Sequence, residues 1–132
     1  RRPVFPSYIG PAKTKYEVLS KTKFCICFEN ARDIDGYITE KIFDCFFAGC
    51  VPIYWGETNI SQSVPAECFI DFCQFSSYED LHRYLKGLSP IQFAAYQQAA
   101  RDFLMSDQFS PFSSQNFAHT IVNQIKREFS LI

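Results

Sequence analysis

The chain has 132 residues, 47% of them hydrophobic and 20% charged, with 15 Phe and 7 Tyr; this is one small domain with enough apolar material for a core, which excludes a disordered or fibrous protein. A net charge of −1 supplies no basic field for nucleic-acid phosphates, so duplex binding is not expected. The charge is uneven: residues 1–23 carry six cations (Arg1, Arg2, Lys13, Lys15, Lys21 and Lys23) against Glu17, whereas residues 24–80 carry ten acids against Arg32 and Lys41.

Tyr16 to Ser20 reads as a short helix, and the continuous apolar run Phe24-Cys25-Ile26-Cys27-Phe28 as a strand covered on both faces. A polar loop runs from Glu29 to Lys41. Ile42, Phe43, Phe46 and Phe47 then form one helical stripe, with Thr39 placed to cap the helix and Gly49 to end it in a left-handed turn. Val51 to Trp55 is a second buried strand, with Pro52 in its first positions. Strand, helix and strand with short connections predict a parallel sheet with a right-handed crossover, and ligands of such sheets bind beyond the carboxyl ends of the strands, where the loop lies. Cys68 to Phe72 reads as a third strand. An amphipathic helix over Tyr78 to Leu88 follows, with Ser77 as its cap, and then helices over Pro90 to Met105 and Ser113 to Phe129, joined by a surface link at 106–114. Phe43, Phe46 and Phe47 are expected in the core; Phe103, Phe109, Phe112 and Phe117 are expected to anchor the terminal helices.

The cysteines, Cys25, Cys27, Cys45, Cys50, Cys68 and Cys73, include no C-x-x-C pair and sit mostly in apolar runs, which predicts buried, reduced thiols. His82 and His119 lie far apart, without metal-ligand spacing, so no metal site is expected. No stretch is long enough to span a membrane. The sequence opens Arg1-Arg2-Pro3 without an initiator Met, so the native N-terminus, with any targeting or membrane-associating segment, is expected upstream.

The start of a helix carries unpaired N–H groups and a positive dipole end, so Thr39-Glu40-Lys41 suits a phosphate-bearing ligand, reinforced by the Lys41 ammonium and the Tyr37 phenol. The Glu40 carboxylate can accept from the two hydroxyls of a ribose, and Asn30 offers both a donor and an acceptor. A purely structural reading stands beside this one: Glu40 stabilising the helix start, Lys41 solvated, Tyr37 packed on the strand end. Trp55-Gly56 reads as the end of the second strand and a turn beneath the cleft.

The stretch FCICFENARDIDGYITEKIFDCFFAGCVPIYWGETNI closely resembles the donor-binding motif of the α-1,3/4-fucosyltransferases: F-E-N, a short loop, G-Y-[VI]-T-E-K, and a helix leading to G-x-[VI]-P-[VI]-Y-W-G. Matches continue through Val64-Pro65 and Phe69-Ile70-Asp71 to Tyr84-Leu85. The resemblance implies an α/β fold, a Rossmann-like parallel sheet with flanking helices, forming the C-terminal half of a two-domain (GT-B type) glycosyltransferase truncated at its N-terminus. Residues 1–132 would be a single donor-nucleotide-sugar-binding domain. It implies an inverting enzyme that transfers fucose from GDP-fucose to a glycan acceptor, with Asn30, Tyr37, Glu40 and Lys41 on the donor: Glu40 at the ribose, Tyr37 and Lys41 at the diphosphate. Lys41 would stabilise leaving-group charge, with no metal or other cofactor required. The general base would belong to an N-terminal acceptor domain, and a diphosphate-binding arginine would lie upstream of residue 1; Arg1, Arg2 and Arg32 are not taken as its substitutes. The loop Ala31-Arg32-Asp33-Ile34-Asp35 departs locally from the pattern. The chain alone is expected to be inactive. The alternatives are a non-catalytic nucleotide-sugar-binding module and a structural or interaction domain. Reduced cysteines favour a cytoplasmic, bacterial-type enzyme over the lumenal side of a Golgi membrane.

Overall fold

A computed structural model of the chain describes residues 7, 8 and 10–129. Arg1 and Arg2 of the basic segment lie outside the described residues. Strand β1 (Phe24–Phe28) leads through the polar loop to helix α2 (Glu40–Ala48), which returns the chain to strand β2 (Val51–Trp55); a short helix α1 (Lys15–Leu19) precedes them. The two strands pair in parallel from Phe24↔Val51 to Phe28↔Trp55. Strand β3 (Ile70–Asp71) joins the far side of β2, also in parallel, in the order β1-β2-β3. All three strands therefore end on one side, at Phe28, Trp55 and Asp71. The expected parallel sheet with flanking helices is the fold observed.

Pro52 lies inside the central strand without loss of a ladder bond. Val51 donates to the Lys23 carbonyl on the β1 side, so by alternation the missing N–H of Pro52 falls on the β3 side, where pairing begins only at Ile53. β3 is two residues long rather than the five expected. Upstream, the Cys68 N–H turns back to the Pro65 carbonyl; downstream, the Asp71 carboxylate accepts the Cys73 N–H and starts another turn. Both bonds divert the backbone from the extended state. β1 is not covered on both faces either. Among the described residues it is an edge strand, and although Phe24 packs edge-on to Phe93 and Phe28 packs against Trp55 and Phe72, Ile26 between them remains 59% exposed.

On one face of the sheet, Cys27 and Tyr54 pack with Ile42, Cys45 and Phe46 of α2 and with Phe103 of α4 (Pro90–Met105); on the other, Val51, Ile53 and Ile70 pack with Leu81 of α3 (Tyr78–Gly87). The Ser77 hydroxyl caps α3 through the Asp80 N–H, and Ser89 and Gln92 form a reciprocal capping box on α4. Gly49 ends α2 at φ 73°, in the left-handed region, and its carbonyl accepts from the Gln97 amide of α4 at 2.6 Å. The link at 106–114 is more than a surface connection: Asp107–Phe112 is a 3-10 helix whose Phe109 and Phe112 rings pack against Phe43 and Phe103. By contrast Phe47 is 60% exposed despite its place on the α2 stripe, and Phe117 of α5 (Ser114–Phe129) is 68% exposed, outside the core it was expected to join.

Candidate functional site

β1 delivers Glu29 and Asn30 directly beyond its carboxyl end. Glu29 is drawn inward: its N–H donates to the Trp55 carbonyl at 2.8 Å, continuing the ladder by one residue, and its side chain is wholly shielded from water. A bare carboxylate in that position is costly unless its oxygens are satisfied, and they are. The Thr39 N–H reaches Oε1 at 2.9 Å, the Thr39 hydroxyl lies 3.0 and 2.8 Å from the two oxygens, and the Lys41 ammonium donates to Oε2 at 2.9 Å. Thr39 occupies the N-cap position of α2 as expected, yet its hydroxyl serves Glu29 and does not cap the helix. The opening turn of α2 is thus free of a side-chain cap.

Lys41 is therefore not solvated in isolation. Its ammonium also lies 3.1 Å from the Thr39 hydroxyl, and it stays 31% exposed toward the open side. Glu29, followed by the Glu40 and Tyr37 charges, outweighs desolvation and holds the Lys41 pKa above its usual 10.5. Glu40 points to the outer face of the helix start. Its own backbone N–H, and then the Lys15 ammonium, lower its pKa below the usual 4.5. Lys15, from α1, bridges Glu40 Oε1 at 3.2 Å and Asp44 at 2.9 Å, and those two partners, Asp44 first, raise its own pKa.

The loop is closed from the β2 side. Glu57 is buried; one oxygen accepts the Gly36 N–H at 2.7 Å and the other the Asn59 N–H at 2.9 Å. The Glu57 N–H in turn donates to the Tyr54 hydroxyl at 3.2 Å; burial pushes that phenol up to about 12, so it remains protonated. Gly36, at φ 74°, makes the bend that aims Tyr37 back toward the helix start, with the Tyr37 N–H on the Ile34 carbonyl. Gly56 is required for a different reason: a Cβ there would sit 2.6 Å from Glu29 Cγ and 2.8 Å from the Tyr54 hydroxyl. Arg32 lies over the Trp55 ring at 5.4 Å, and Thr58 bonds Asp33.

Of the expected site residues, the fold thus brings Tyr37, Glu40 and Lys41 to one helix start, with Tyr37 near enough to act on the Lys41 charge; Asn30 is exposed one residue past Glu29. Two buried carboxylates that the sequence does not single out, Glu29 and Glu57, position the loop, and Thr39, expected as a cap, is the partner of Glu29. Lys15 was counted only as part of a basic segment. The available signal is an acid within two residues of the end of each wholly apolar strand, Glu29 directly after β1 and Glu57 two residues after β2.

Residues 7–122 match the family described as glycosyltransferase family 10 (fucosyltransferase) C-term. The alpha-(1,3)-fucosyltransferase FucT of Helicobacter pylori is 38% identical over 76 residues, which is 58% of this chain and 16% of that protein. The 4-galactosyl-N-acetylglucosaminide 3-alpha-L-fucosyltransferase 9 of Mus musculus is 38% identical over 106 residues, 77% of this chain and 29% of that protein. A crystal structure of alpha1,3-fucosyltransferase with GDP-fucose superposes with a TM-score of 0.52 at 32% identity, covering 74% of this chain and 27% of that one. The chain thus spans 16% to 29% of the length of these curated relatives.

Proposed function

The chain belongs to the glycosyltransferase family 10 (fucosyltransferase) C-terminal family, and on that premise we propose that it is the donor-binding part of an inverting α-1,3-fucosyltransferase, which takes fucose from GDP-fucose to a glycan acceptor. The observation that carries this reading is the Glu29–Thr39–Lys41 cluster at the start of α2. An ammonium has three N–H donors. Glu29 and Thr39 take two of them, and the third is available, on the exposed side, to a phosphate oxygen. The uncapped first turn of α2 adds backbone donors aimed at the same ligand. Departure of GDP leaves negative charge on the diphosphate. Lys41, fixed in advance by Glu29, stabilises that charge as it grows, without moving to do so. Because Glu29 cancels the Lys41 charge at longer range, what Lys41 supplies is a directed donor rather than a field.

Glu40 is assigned to the ribose hydroxyls: Lys15 takes Oε1, which leaves Oε2 as an acceptor. Tyr37 contributes its phenol beside Lys41, and Asn30 borders the donor from the end of β1. No metal is assigned to the transfer step. The base that removes the acceptor proton is assigned to a part of the enzyme outside this chain, so the 132 residues alone are expected to bind donor and not to transfer it. Among the described residues no helix is long and apolar enough to cross a membrane; we place the enzyme in the cytoplasm, on the reading of its cysteines as reduced thiols.

Calorimetric titration of the chain with GDP, GDP-fucose and UDP tests the proposal. Saturable binding of the guanine nucleotides, not of UDP, is expected, weakened about tenfold or more by Lys41→Ala through loss of a charge-assisted bond. Tyr37→Phe and Glu40→Gln, which leave Glu29 paired, separate ligand contact from damage to the fold. Absence of guanine-nucleotide binding at millimolar concentration would leave a structural or interaction domain. Binding to the chain, with no fucose transfer by the longer protein that contains it, would leave a non-catalytic binding module.

A further inference from the structure

Cys25 and Cys27 alternate along β1 and so point to the same side of the sheet, toward α2. There they meet Cys45. The three Sγ atoms all lie within 4.8 Å of one another, and Cys27 Sγ is 3.3 Å from Cys45 Sγ. Three thiolates sharing one ion at a metal–sulfur distance of ~2.3 Å would stand roughly 3.8–4.0 Å apart in tetrahedral or trigonal geometry. One pair stands closer than that and no pair is farther apart than 4.8 Å, so small rotations of the side chains suffice. We propose that Cys25, Cys27 and Cys45 form a binding site for a soft, thiophilic metal ion of the Zn2+ or Cu+ class, adjoining the donor-binding cluster but with its own ligands.

Several features favour a site over three unrelated core thiols. The donors stand on a strand and a helix, which hold them more firmly than a loop would. There is a way in: a groove of about 300 Å³ beside β1 is lined by Cys25, Cys27 and Cys45 with Val18 and Leu19, and also by Lys15, Lys41 and Asp44. Cys25 is half-buried and faces that groove, while Cys27 and Cys45 behind it are each 1% exposed. The donor set is all sulfur, which selects soft ions and rejects Mg2+ and Ca2+. On binding, each thiol releases its proton to solvent as its sulfur donates a lone pair to the ion, with no change of oxidation state. The spacing, one residue between Cys25 and Cys27 and then eighteen positions from Cys27 to Cys45, matches no linear metal motif, so only the crossover unit makes it visible. Cys27 Sγ also lies 3.5 Å from the Lys41 carbonyl, so a bound ion would pin β1 to α2 directly beneath the donor site.

The test is titration of the reduced chain with Cd2+ under anaerobic conditions, following the thiolate-to-cadmium charge-transfer band in the ultraviolet. Saturation at one equivalent and a raised Tm are expected, with neither effect from Mg2+ or Ca2+. Cys25→Ser, at the half-buried position, is expected to weaken binding at least tenfold, and Cys73→Ser, remote and exposed, to leave it unchanged. X-ray absorption of the wild-type cadmium complex counts sulfur neighbours without relying on any variant folding; at least three are expected. No saturable band at micromolar Cd2+, an affinity unchanged in Cys25→Ser, or fewer than three sulfur neighbours would each overturn the proposal.

Discussion

The Glu29 carboxylate is wholly shielded while its partner, the Lys41 ammonium, is 31% exposed, so removing Lys41 strands a buried anion rather than deleting a surface charge. Lys41→Met is expected to cost ~3 kcal/mol in urea unfolding, the low end for a broken buried pair, because Thr39 keeps its bonds to the same carboxylate. Adding Glu29→Gln should recover most of that loss, since an amide needs no counter-charge; a double variant as unstable as the sum of the two singles would show that the residues act independently. The pH dependence has a definite sign. The folded-state pKa of Lys41 is raised above 10.5, chiefly by Glu29, so the contribution of the pair is fully present below 10.5 and is lost as pH rises through the higher folded value. The stability gap between wild type and Lys41→Met is therefore expected to be flat from neutrality to about pH 10 and to close only beyond it; closure near neutrality would contradict the pairing. Lys41 was legible in the sequence as a cation isolated among acids, and Tyr37 and Glu40 through the motif around it. Glu29 was not, because its partners lie ten and twelve residues along the chain and meet it only after the crossover closes.

The end of β2 must approach the end of β1 closely for this cluster to form, and Gly56 is where it does so. Gly56→Ala places a methyl group 2.6 Å from Glu29 Cγ, and neither neighbour is the free end of a mobile chain: Glu29 is held by Thr39 and Lys41, and Tyr54 is 1% exposed. A loss of about 1–3 kcal/mol is expected, accompanied by faster amide exchange at Thr39, whose N–H depends on Glu29; unchanged exchange would show that the strand ends yield without disturbing the site. The same elements show what local pattern can and cannot specify. β1, β2 and α4 have the boundaries their residues predict, since apolar runs and a Ser-Pro start are local signals. α1, α3 and α5 differ from expectation by a residue at their ends, where caps and fraying decide. The exposure of Ile26 was not legible, because whether a strand is central or at an edge depends on pairing with distant segments. Phe47 and Phe117 fail for a related reason: a helical stripe states which side chains share a face and not whether another element covers it.

Both cores are assembled from residues between Leu19 and Phe112, whereas every residue of α5 is exposed. Its apolar side chains Phe117, Ile121, Val122, Ile125 and Phe129 are between 46% and 72% exposed. Near its start it is tied to the preceding turn: the Asn116 N–H donates to the Ser113 hydroxyl, and the Asn116 amide to the Pro111 carbonyl. A helix that buries so little adds little to the cooperative unit, because hydrophobic stabilisation scales with the apolar area removed from water. Truncation after Ser113 is accordingly expected to shift Tm by less than about 4 °C, the equivalent of less than about 1 kcal/mol for a domain of this size. Since the hydrogen bonds that hold Glu29, Thr39, Glu40, Lys41 and Glu57 in place join residues between Lys15 and Asn59, guanine-nucleotide affinity should stay within about twofold, the range of a surface change. Thermal unfolding and calorimetry on the truncated chain check both. A large fall in Tm with affinity preserved would mean that α5 folds back over the sheet layers, and a fall in affinity at constant Tm would mean that it reaches the donor site.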